Sequence, residues 1–198
     1  MLIFRFEWKR KRKYILIWAA TLAVCIFSMT PVYYGMIETV ETLPVEFTQG
    51  CFFETVGISL ELLMEPLGMY SFLTGFFMVA GGIFGMHLGL SLHTEECTGN
   101  TAEYLYTKPC GRKQIYMGKL LCALAGICVT GIFYLATSFL TMTLFRFGLP
   151  IGEFFLVAGS FILISLFFAL LGLMVGIFHP NNRSPLLTAG LGVFVEYC

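Results

Sequence analysis

The sequence predicts an all-α integral membrane protein, a polytopic helical bundle with four complete spanning helices and a truncated fifth. Three observations carry this. The chain is 58% hydrophobic and only 12% charged over 198 residues, too few charges for the mixed polar surface that a soluble domain of this size presents to water. Four apolar stretches reach the roughly 20 residues a helix needs to cross a hydrocarbon core about 30 Å thick. The acidic and basic residues balance to a net charge of zero but are sorted along the chain, which excludes a uniformly basic nucleic-acid partner surface and sets a topology.

The first span runs near Tyr14 to Met36 and follows a basic elbow, residues 1–13, with Arg5, Lys9, Arg10, Lys11, Arg12 and Lys13. By the positive-inside rule this end is cytoplasmic. The elbow also resembles the head of a secretory signal, and Leu22 to Cys25 resembles a lipoprotein cleavage box. Val24 is too large for the small residue expected before such a cysteine, and the apolar run continues to Tyr34, so the span stays attached. The connection over residues 37–68 has no Lys or Arg and carries Glu38, Glu41, Glu46, Glu54, Glu61 and Glu65, which places it outside. Within it Phe52, Val56, Leu60 and Leu63 fall on one side of a helical wheel opposite the glutamates, as in an interfacial helix that caps the bundle or gates a substrate.

The second span covers Met69 to Leu92 and the third Leu120 to Leu144; the loop between them, residues 93–119, has Lys108, Arg112, Lys113 and Lys119 and returns inside. The fourth, Phe154 to Phe178, is dense in Leu, Ile, Val and Phe, each favourable by roughly 0.3–0.6 kcal/mol at mid-membrane. Gly81, Gly85 and Gly89 recur every four residues in the second span, and Gly172 and Gly176 repeat the spacing in the fourth. Such small-residue faces let helix backbones approach closely, within one bundle or between two copies of the chain. Ser28, Thr30, Ser71, Thr74, Thr130, Thr137, Ser138, Ser160 and Ser165 are the main polar groups of the spans, suited to packing or to a path for an amphipathic molecule. A fifth apolar run, Leu186 to Val195, has about half the spanning length. It reads as a helix cut short by the end of the chain, or as a terminal segment at the interface.

The seven cysteines show no CxxC pair, His87, His93 and His179 are scattered, and there is no Asp, so no metal site, catalytic group or bound cofactor is expected on this chain.

The informative stretch is the loop HTEECTGNTAEYLYTKPCGRKQIYMGK. Asn100 and Glu103 form a capping box that starts a short helix through Tyr104 and Leu105, and Pro109 ends it because it lacks an amide hydrogen and restrains Lys108. Here the chain resembles the permease subunits of type 2 ATP-binding-cassette transporters. The loop between their second and third spans runs through acidic residues, Gly-Thr, a short Glu-containing helix, Thr or Ser, Lys-Pro, then Arg and a later Lys. Glu95, Glu96, Gly99, Thr101, Glu103, Leu105, Thr107, Lys108, Pro109, Arg112, Gly118 and Lys119 match, with Asn100 inserted between the glycine and the threonine.

The resemblance implies that the loop couples to a separate ATP-binding-cassette ATPase, with the helix from Thr101 to Thr107 as the docked element. It implies six spans in the complete plan, a second permease copy or related permease, ATP and magnesium on the partner, a place in the cell membrane, and export as the direction. No GxxxxGK(S/T) occurs, since Gly118 and Lys119 are followed by Leu120, so this chain has no phosphate-cradling loop of its own. The rival readings are an intramembrane enzyme using Glu95, Glu96 and the histidines, and a structural or sensory subunit without transport. The paired-glutamate motif of the prenyl-protein proteases requires an arginine where Asn100 stands, and a structural subunit has no need of the loop pattern.

Overall fold

Turn chemistry sets most of the helix ends. Pro66 opens α2 (Pro66–Thr98) and Pro185 opens α5 (Pro185–Tyr197), at the first helical position where a missing amide hydrogen costs nothing. Pro150 precedes α4 (Ile151–Phe178) with extended backbone, its carbonyl accepting from Phe154 N–H at 3.1 Å, and Glu153 sits in the positive first turn. The Gly111 carbonyl accepts from Gln114 N–H at 2.9 Å to start α3 (Arg112–Leu144). The remaining helix, α1, spans Leu2–Thr42. The computed structural model describes residues 2–42, 66–98, 111–144, 150–179 and 184–197.

Four of these helices are long and apolar enough to cross a membrane, and α5 is a shorter apolar helix. Their surfaces agree: Ile17, Phe76, Leu156, Leu163 and Phe178 are all more than half exposed, an apolar exterior that only lipid solvates well. The chain is a multi-pass membrane protein. At 1.5 Å per residue α1 is about 62 Å long, more than the roughly 40–45 Å of a bilayer with its headgroups. The basic segment is therefore continuous with the first span, not set off from it. Likewise α2 runs on through Glu95 to Thr98 and α3 begins at Arg112, so the loop read from residue 93 to residue 119 is helical at both ends. Hydropathy marks where lipid stops and not where backbone hydrogen bonding stops. The interfacial helix around Phe52 to Leu63 lies outside the described residues.

The helices alternate in direction. Gly118 faces Ile3 and Gly126 faces Ile15, so α1 and α3 run parallel; Gly85 lies on Ser165 and Gly89 on Ala169, so α2 and α4 run parallel the other way. The largest contacts are α2 with α4 and α1 with α3, while α5 packs on α2. The molecule is thus two packed units, α1–α3 and α2–α4–α5, joined chiefly by α3 on α4.

The glycine faces meet inside one chain. A methyl group placed on Gly85 would strike the Ser165 carbonyl, on Gly89 the Ala169 carbonyl, and on Gly172 the Met86 carbonyl; on Gly81 it would lie 2.5 Å from the Phe161 ring, and on Gly176 3.0 Å from His93 Cβ. All five glycines line the α2–α4 seam within this chain, the first of the two arrangements the spacing left open.

Towards the end opposite the basic residues, Leu22, Ile26, Tyr70, Tyr134, Phe154, Ala158 and Phe161 form one core from four helices. The Tyr134 and Phe161 rings stack at 4.3 Å, and Tyr134 O–H donates to Thr74 Oγ1 at 3.3 Å, which itself donates to the Tyr70 carbonyl at 2.8 Å. Phe161→Ala is expected to lower stability by about 3–5 kcal/mol and Tyr134→Phe by about 1 kcal/mol, read from melting of the detergent-solubilised protein. Most span hydroxyls bond to their own helix: Ser28, Ser71, Thr130, Thr137 and Ser160 donate to carbonyls three or four residues back, leaving them little to offer a solute.

Candidate functional site

The buried face of α1 is one stripe of residues three or four apart: Glu7, Lys11, Ile15, Ala19, Leu22 and Ile26. From Ile15 onward it is apolar and joins the core with Phe84, Leu88, Ile127 and Ala169. At the basic end the same stripe turns ionic. Glu7 is 1% exposed and Lys11 4%, figures that a carboxylate and an ammonium reach only when paired.

The partners come from α1 itself and from the last turns of α2. Lys11 Nζ donates to Ser91 Oγ at 2.8 Å and forms an ion pair with Glu95 Oε1. The other Glu95 oxygen, Oε2, receives Arg10 Nε at 3.2 Å, and Arg10 Nη2 reaches back one turn to Glu7 Oε2 at 2.9 Å. Both oxygens of Glu95 are thus held by α1, and Arg10 is shared between two carboxylates. Burial grades outward, from Glu7, Lys11 and Ser91 in the interior to a Glu95 side chain 40% exposed. Losing one member of such a group leaves a charge without its compensation, at a penalty smaller than the roughly 3–5 kcal/mol of a fully buried pair because Arg10 and Glu95 both reach solvent.

The α3 helix closes the third side. Lys119 is 1% exposed, and one turn further on Cys122 packs with Ala123, Leu92 and Leu173, against Phe4 and Trp8 of α1. His93 and Tyr116 face each other at 6.0 Å, and Tyr14 tilts on His87 at 4.9 Å, so both histidines are engaged in packing between helices. Among the described residues no three His, Cys, Asp or Glu side chains gather as metal ligands.

The sequence-derived loop residues divide into three groups. Glu95 is at the centre of the ionic cluster. Glu96 lies on the last turn of α2 and Arg112 on the first of α3. Gly99, Asn100, Thr101, Glu103, Tyr104, Leu105, Thr107, Lys108 and Pro109, and with them the capping box and the short helix, lie outside the described residues. What the sequence reading missed is the inner half of the cluster: Glu7, Ser91 and the burial of Lys11 and Lys119. The available signal was the single acid in a basic run, four residues before Lys11 and eight before Ile15, one helical stripe.

A protein-family model described as ABC-2 family transporter protein matches residues 1–196. No curated protein and no solved structure matches the chain.

Proposed function

The chain belongs to the ABC-2 family of transporter membrane proteins, and on that premise we propose that this permease couples the cycle of a separate ATP-binding-cassette ATPase to movement of an amphipathic solute. The family match over residues 1–196 is the observation that carries this reading. The order of residues from Glu95 to Lys119 adds the site of coupling. ATP and magnesium then belong to the partner, and this chain supplies no hydrolytic group.

In this reading the basic end of the bundle is cytoplasmic, the membrane is the cell membrane, and the segment from Thr101 to Thr107 docks on the ATPase. A docked helix transmits force only if its roots are stiff, and the roots here are continuous α-helix through Thr98 and from Arg112. A second permease copy or a related permease completes the path. Export is the proposed direction, supported by the resemblance of the loop. The stated arrangement requires two states of the bundle that the docked ATPase favours differently.

Native thiols test the orientation. In sealed cells an impermeant maleimide is expected to label Cys51 while sparing Cys97 and Cys110. Labelling of Cys97 or Cys110 without permeabilisation overturns the reading. Pull-down from detergent extracts separates the classes: a co-purifying ATPase supports transport, and hydrolytic activity in a preparation without one supports the enzyme.

A further inference from the structure

We infer that Arg10 and Lys11 of α1, with Glu95 of α2, form an ionic latch that sets how readily the two helix units separate when the coupling loop is pushed. This rests on the coupling reading above. Three features of the structure lead to it.

The first is where the loop attaches. It joins the end of α2 to the start of α3, so its two roots stand on different units, α2–α4–α5 and α1–α3. Any displacement of the loop relative to the bundle therefore acts between the units. The second is where the latch lies. Glu95 is four residues before the loop begins at residue 99, and its two oxygens are gripped by side chains of the opposite unit. The third is what else joins α1 to α2. Their backbones approach at few points; beside the ionic group the contacts are side chains alone, with the Tyr14 and Trp18 rings on Phe84 at 5.9 and 5.7 Å and Ile15 beside Phe84 and Leu88, so that apart from α3 on α4 little backbone packing ties the units together. The α2–α4 seam, by contrast, has backbone against backbone and cannot open without loss of packing.

An ionic contact with one face in solvent suits this role. Its side-chain torsions let it break and re-form over a small rotation, and water solvates Glu95 as it leaves, whereas Glu7 remains to hold Arg10 on α1. Glu95, Arg10 and Lys11 are positioning residues. In this role they act by biasing the two arrangements of the units.

The experiment uses the full chain co-expressed with its ATPase, purified as the complex and reconstituted in nanodiscs, with turnover of magnesium-ATP as the readout. Glu95→Lys is expected to keep the ATPase bound and change turnover by roughly fivefold or more, the range of a typical coupling free energy. The double variant Lys11→Glu with Glu95→Lys restores opposed charges between positions 11 and 95 and leaves Arg10 to Glu7 and the new carboxylate; it is expected to return turnover part of the way towards wild type, which a merely structural loss does not do. Glu95→Gln is the milder variant if charge reversal yields no folded complex, with the same shift expected at smaller size. Wild-type turnover in the single variants with the ATPase still bound overturns the latch, and so does a single-variant shift that the charge swap leaves uncorrected. A wild-type chain that retains no ATPase overturns the coupling reading on which the latch rests, and is recognised at the pull-down before any rate is measured.

Discussion

Gly172→Leu is expected to abolish recovery of folded permease from the membrane. At this position the α4 backbone lies against the Met86 carbonyl, and a methyl group alone has no room. The obstruction is backbone, so no rotamer relieves it and the helices must separate over the whole seam. Overpacking by a single methylene in a tight core costs about 1–3 kcal/mol; a leucine adds four carbons where the first already clashes. Stability of roughly 5–15 kcal/mol in total leaves little to absorb that. Gly85→Leu and Gly89→Leu are expected to behave alike, because each meets a carbonyl of α4. Gly75→Leu is the control: its Cβ would meet nothing within 4 Å, and the lipid-facing substitution is expected to leave yield and elution profile unchanged. Fluorescence-detected size exclusion of tagged variants reads both outcomes.

Leu105→Asp is expected to uncouple the transporter without unfolding it. The short amphipathic segment around Leu105 is proposed to seat in a groove of the ATPase, where an apolar anchor at the centre of a contact is worth about 2 kcal/mol or more. Replacing it with a carboxylate removes that contribution and buries a charge against the partner, so affinity is expected to fall by roughly 30-fold or more. The permease should remain monodisperse, since Leu105 belongs to none of the helices α1–α5 whose packing holds the bundle together. Co-purification of the ATPase and its turnover in the complex should both fall. Glu103→Lys is expected to act in the same direction. Unchanged coupling in both variants would remove the loop from its proposed role.

The four spans, the alternation of direction and the small-residue spacing were legible in the sequence, because each follows from a short-range pattern that lipid imposes: apolar length, charge sorting, and small residues every fourth position. Spacing marks a face but not its partner, so only the structure could show that Gly85, Gly89 and Gly172 meet within one chain. Helix ends were less legible. Residues 9–13 and 93–98 are polar yet helical, since nothing in a charged side chain stops the backbone ladder, whereas Pro66, Pro150 and Pro185 punctuate it visibly. The hidden part was charge burial. Arg10 and Lys11 read as two more members of the basic elbow, and the acid that pairs with them, Glu95, lies 84 residues from Lys11 along the chain. A pattern confined to neighbours does not reveal a pair of that separation. Glu7 was discernible only as the N-terminal continuation of the Ile15, Ala19 and Leu22 stripe.

The proposed coupling is tested most directly by a photo-crosslinking amino acid placed at Leu105 in the full chain, expressed in intact cells with the ATPase. Irradiation is expected to give a covalent permease–ATPase adduct that disappears when the crosslinker is moved to a lipid-facing position such as Leu156. A site at Leu105 that forms no ATPase adduct, or that reacts instead with an impermeant reagent added outside the cell, contradicts the account.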